Sequence, residues 1–125
     1  MSVESTRAVM ERYLAAHAGE ALAQEVVFTM MGTGREFRGR QAVEDMLNGF
    51  YHGTFEARAE RRTLLVGDGH AVLEADVVGR LRLPLGDIEP TDDEVRVPLC
   101  VVYEVDGDEI IAGHVYLETD RLRKD

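Results

Sequence analysis

The sequence predicts an α+β fold, about three helices set against a mostly antiparallel sheet, and three observations lead there. Two apolar stripes at offsets of three and four occupy the first 51 positions. From Thr54 onward the period changes to two and stays there through four consecutive segments. Short clusters of Gly and Asp separate two pairs of those segments, so neighbouring strands return on one another as hairpins.

The elements follow in order. Ser5 to Ala18 places Val9, Met10, Tyr13, Leu14 and His17 on one helical face, with Ser2 or Ser5 as the cap. A short helical piece, Glu20 to Gln24, leads into Val26 to Met31, where β-branched and aromatic residues favour a strand. Gly32-Thr33-Gly34 turns the chain. Gly39 to Tyr51 forms the second long helix through Val43, Met46, Leu47, Phe50 and Tyr51, with His52-Gly53 as its stop. Strands follow at about 54–66, 69–83, 94–105 and 109–118, with turns at Gly67-Asp68-Gly69 and Asp106-Gly107-Asp108. Gly86 to Glu94 is a long hairpin loop, and Thr119 to Asp125 adds one frayed helical turn.

A length of 125 residues bounds the chain to a single domain, 1–125. The charge balance, 14 basic against 24 acidic residues, gives −10 and repels phosphate backbones, which argues against a nucleic-acid partner. Cys100 has no partner within the chain, so a reducing, cytoplasmic setting is expected. No apolar run has the length of a signal peptide or a membrane span, so no membrane partner is expected.

Phe37-Arg38-Gly39-Arg40-Gln41-Ala42-Val43, the loop Pro84 to Thr91, and Asp106 to Ile111 continuing to Val115-Tyr116-Leu117-Glu118 carry a family resemblance. Together with Met10-Glu11-Arg12-Tyr13, they make nearly the whole chain resemble the nuclear transport factor 2-like superfamily. The nearest branch is that of SnoaL-like polyketide cyclases, limonene epoxide hydrolases and ketosteroid isomerases. The resemblance implies a strongly curved sheet with helices on its concave side, a cone whose open end holds a small hydrophobic ligand, and a homodimer through the outer sheet face. It also implies isomerisation, cyclisation, hydration or hydrolysis without a metal or an organic cofactor.

Strand parity tests that expectation, because residues two apart share a face. Leu73, Ala75 and Val77 point one way and Glu74 and Asp76 the other; Val97, Leu99, Val101 and Tyr103 form an inward set, as do Ile111, Gly113, Val115 and Leu117. The epoxide hydrolases' polar residues match Phe28 and Met30, then Ala75 and Val77, then Val115, so the base that activates water has no counterpart. Of the isomerase machinery Tyr13 matches the tyrosine, while the base falls near Thr29 or Met30 and the second acid near Val101. The cyclases' acid matches Glu118, which a one-residue bulge would turn inward along with His114.

Tyr13 and His17, four apart on the apolar stripe, are therefore the candidate catalytic pair, a hydrogen-bond donor and an acid-base group. Two core residues with satisfied polar tips is the competing account. The expected ligand-binding wall is Phe28, Met30, Phe50, Tyr51, Val101, Tyr103, Val115 and Leu117, with Met31 and Met46 adding adaptable surface. Glu74 and Asp76 are read as a solvated face, Cys100 as an inert thiol, and the glycines at 32 and 34 as a turn rather than a dinucleotide fingerprint. Arg35, Arg38 and Arg40 are read as surface ion pairs, the other reading being that they meet an acidic substrate at the cone mouth. Arg61 falls on the inward parity unless a bulge intervenes. The competing class is a non-catalytic ligand-binding or dimerisation module of the same fold.

Overall fold

The computed structural model describes residues 2–16 and 19–122. Two α-helices, α1 (Val3–Ala16) and α2 (Arg40–Gly49), accompany six strands. These are β1 (Leu22–Met30), β2 (Arg35–Arg38), β3 (Phe55–Val66), β4 (His70–Leu81), β5 (Val95–Asp106) and β6 (Glu109–Leu117). They form one sheet in the order β2-β1-β6-β5-β4-β3, in which β1 runs parallel to β6 and every other neighbour is antiparallel. The result is a curved, unclosed α+β architecture.

α1 begins with a reciprocal cap: Ser5 N–H donates to Ser2 Oγ and Ser2 N–H donates to Ser5 Oγ, each at 3.0 Å. Thr6, fully buried, donates to the Ser2 carbonyl at 2.8 Å and accepts from Gly69 N–H at 3.0 Å. That bond fixes the first turn of α1 to the β3–β4 hairpin. α2 starts at Gly39, whose φ of 95° lies in the region glycine favours. The Arg40 guanidinium then donates twice to the Leu22 carbonyl, at 2.9 and 2.7 Å, and fastens the helix start to the beginning of β1. Both helices pack on the concave face, where Val9, Met10, Tyr13 and Val43 join the inward residues of β1, β4, β5 and β6 in one core.

The parallel β1–β6 pairing shifts register between Leu22 and Val27, and one bulge interrupts each of two antiparallel ladders. In β3, Arg61 pairs with Ala75 and Thr63 with Glu74, so Arg62 is the extra residue. Arg61 keeps the inward parity, and Arg62 and Thr63 both face out. In β6, Ile111 is extra between the pairs Val105–Ile110 and Glu104–Ala112. It is 40% exposed whereas Ile110 is fully buried, which corrects the expectation that Ile111 points inward.

Three further expectations change. Glu20 to Gln24 is not helical: only a 3₁₀ turn at Gly19–Ala21 precedes β1, because Leu22 and Val26 are needed in the core as strand residues. β2 has no counterpart in the sequence reading, since its Arg-Glu-Phe-Arg composition is that of a charged edge strand rather than an apolar run. The helix expected to end at Tyr51 is α-helical only to Gly49 and continues as a π turn over Phe50–Thr54. The third helix is thus reduced to short turns, the last of them 3₁₀ at Thr119–Leu122.

Asp76 does face outward but is not solvated. It is 3% exposed, capped by Arg96 Nη1 at 2.8 Å and Arg62 Nε at 3.2 Å, with Glu60 bridging to Arg96 at 3.1 Å. No helix of the described residues is long and apolar enough to cross a membrane.

Candidate functional site

Between the helices and the concave face lies a cavity of ≈ 150 Å³. Its wall takes Tyr13 and Leu14 from α1, Met46 and Leu47 from α2, Phe50 and Tyr51 from the π turn, and inward residues from every strand but β2. The periodicity explains the helical contributions, while the π turn sets Phe50 and Tyr51 edge to face at 5.0 Å and 86°.

All eight residues expected on the ligand wall stand on this cavity: Phe28, Met30, Phe50, Tyr51, Val101, Tyr103, Val115 and Leu117. Tyr13 joins them. His17, its expected companion, lies outside the described residues. Met31 does not line the cavity and is 41% exposed, because β1 ends one residue earlier and the turn carries it out. Strand parity also accounts for Ala59, Leu73, Ala75 and Leu99 on the wall, whereas Arg61 needed the bulge to be located. Of the positions matched to the epoxide hydrolases' polar groups, Phe28, Met30, Ala75 and Val115 reach the cavity, and all are apolar.

Among the described residues, the polar side chains on the wall are three phenols and one guanidinium. Tyr103 packs edge to face against Tyr13 at 5.8 Å and against Phe28 at 6.1 Å. Burial pushes all three phenols up: Tyr51 to about 12, Tyr13 and Tyr103 well above the ordinary tyrosine value. Secondarily, negative charge on Tyr13 or Tyr51 would repel negative charge on Tyr103, and Tyr51 acts likewise on Tyr13. The three hydroxyls thus form one electrostatic cluster that remains protonated at neutral pH. Protonated phenols donate hydrogen bonds, which are stronger in surroundings of low dielectric than in water.

Arg61 marks the solvent side. Its Nη1 meets Glu11 Oε1 of α1 at 2.5 Å, and that hydrogen bond, chief among the causes, holds the exposed Glu11 carboxyl below its ordinary value. Among the described lining residues there is no Asp, Glu or His. His114 and Glu118 lie off the cavity; β6 keeps its alternation from Gly113 to Leu117, which turns Val115 and Leu117 inward instead. No group of three or more His, Cys, Asp or Glu among the described residues converges as a metal site would.

Solved structures share this architecture. A protein of Jannaschia sp. CCS1 assigned to the SnoaL-like polyketide cyclases superposes with a TM-score of 0.78 at 12% identity, over 92% of this chain and 86% of the other. A Catenulispora acidiphila protein of ketosteroid isomerase-like fold, in complex with trimethylamine, gives 0.75 at 15% identity over 94% and 90%. An epoxide hydrolase of M. tuberculosis, similar to limonene epoxide hydrolase, gives 0.69 at 18% over 97% and 87%. At these identities the likeness concerns the fold alone. No curated protein matches the chain significantly. The SnoaL-like domain model matches residues 3–113, nearly the whole length, and the chain belongs to that family.

Proposed function

We propose that the chain binds one small, mostly apolar molecule bearing a carbonyl or phenolic oxygen, and that the tyrosine hydroxyls hold that oxygen. One observation carries the reading: Tyr13, Tyr51 and Tyr103 stand together on a wall whose other described residues, Arg61 apart, are apolar. An oxygen placed among them accepts hydrogen bonds from protonated phenols, and the bonds strengthen as negative charge develops on it. That favours isomerisation or cyclisation through an enol or enolate without a cofactor. Tyr13 stabilises the oxygen, and His17, four residues on in the sequence, moves the proton between carbons. Hydrolysis by activated water is disfavoured because no carboxylate lines the cavity among the described residues.

The same feature supports a second reading, a binding module that performs no chemistry. Thermal stabilisation by a panel of apolar ketones, phenols and epoxides, followed by calorimetry and product analysis, separates the two. Loss of one neutral hydrogen bond predicts that Tyr13→Phe weakens the best ketone or phenol by about 2- to 12-fold. Unchanged affinity removes Tyr13 from the site, and binding without turnover selects the module. The homodimer is part of the proposal as well: Tyr116 and Ile111 are exposed on β6, and sedimentation of the chain as a monomer would remove it.

A further inference from the structure

We propose that the bound molecule is elongated and acidic, with an apolar head among the tyrosines and a chain that crosses into a second cavity, where its carboxylate meets Arg35. This rests on the reading of the inner cavity as a ligand site.

The inner space alone is small. A cavity of ≈ 150 Å³ accommodates about one benzene ring, whereas small-molecule sites commonly occupy about 300–1,000 Å³. A second cavity of ≈ 540 Å³ adjoins it, bounded by the turn after β1, the start of β2, the end of α2 and the loop at Leu85–Ile88. The two share four wall residues, Met30, Met46, Phe50 and Leu117. All four are half-buried, and two are unbranched methionines with several rotatable bonds. In the proposed complex these side chains rotate aside and join the two cavities.

Charge sets the chemistry at the outer end. Of the three arginines in this stretch, Arg38 is paired with Glu36 at 2.7 Å, and Arg40 is spent on the Leu22 carbonyl, with Glu109 at 3.6 Å. Arg35 has no ion pair among the described residues, although the chain carries a net charge of −10. Its guanidinium lies 4.8 Å above the Phe37 ring, and both residues line the outer cavity. The cation–π contact keeps the guanidinium beside the ring, and a guanidinium can hold a carboxylate with two parallel bonds. Asp87, the carboxylate on this wall, already has an interaction of its own. An apolar passage ending at a guanidinium that has no ion pair among the described residues suits a ring carrying an alkyl chain with a terminal carboxylate.

The test uses calorimetry with phenol, with 4-hydroxyphenylalkanoic acids of increasing chain length, and with their methyl esters. Affinity is expected to rise above that of phenol as the chain lengthens, with the acids displacing phenol. At the best length the acid binds about two- to fivefold tighter than its ester, as for an exposed ion pair. That ratio falls to one in Arg35→Gln, and it shrinks with added salt in the unaltered protein. Phenol binding that no chain improves overturns the two-cavity ligand while leaving the inner site standing. Chains that improve binding with acid and ester equal overturn the role of Arg35. If neither phenol nor any of the longer compounds binds while a ketone does, this inference fails and the inner site stands; if no ketone binds either, both fail.

Discussion

Replacing Ala75 with leucine tests whether the space between helices and sheet is a void that a ligand claims. Ala75 lies in the middle of β4, is 1% exposed, and points into the cavity between Arg61 on β3 and Leu99 on β5. Unfilled space of ≈ 150 Å³ corresponds, at about 24 cal/mol per Å³, to roughly 3.6 kcal/mol of forgone packing. Leucine adds three carbons, worth about 0.8 kcal/mol each, or about 2.4 kcal/mol. Fixing its rotamer costs about 0.5–1 kcal/mol, leaving a net stabilisation of about 1.4–1.9 kcal/mol. For a chain of this length that raises Tm by about 5–8 °C. Differential scanning calorimetry reads the shift, and repeating it with the best ligand of the unaltered protein shows whether the ligand's own stabilisation is lost. A lower Tm together with an undiminished ligand effect would refute the reasoning, since the space would then be neither empty nor the binding site.

Two other outcomes follow from packing and burial. A Cβ on Gly113 would lie 2.8 Å from the Phe28 ring, which covers it from β1, so Gly113→Ala is expected to cost about 1–3 kcal/mol in urea denaturation and to weaken ligand binding as Phe28 shifts on the cavity wall. Tyr51 has its pKa raised from 10.0 to about 12 by burial, so the folded state retains a proton that the unfolded chain releases. Its contribution is fully present below pH 10 and is lost between pH 10 and about 12, at up to about 1.4 kcal/mol per pH unit. Tyr51→Phe should flatten the alkaline fall in unfolding free energy, read by urea denaturation, by that amount, whereas an unchanged slope would show that this phenol is not desolvated in solution.

How much was legible depended on the range of the interactions involved. The helical stripe through Val9, Met10 and Tyr13 and the alternation in β4 and β5 record which face each element buries, and that is a local property of the chain. The wall residues were readable for the same reason: parity alone sorts Val101, Tyr103 and Val115 from their neighbours. β2 was not readable, because an edge strand with charged side chains forms only where β1 offers it a backbone partner. The outer face was misread at Asp76 because its two arginine partners come from β3 and β5, and only the sheet brings them over it.

The amino-acid sequence by itself determined the α+β class and the inward apolar face, since periodicity and residue type act over one or two turns of chain. Tertiary structure alone decided where the two extra residues, Arg62 and Ile111, fall, and so that Arg61 keeps the inward parity while Ile111 turns out. It also decided that three tyrosines from α1, the π turn and β5 form one cluster, and that Arg35, of three nearby arginines, is the one left to face a cavity. Those arrangements join residues far apart in the chain, and their geometry exists only once the sheet has curved around the helices.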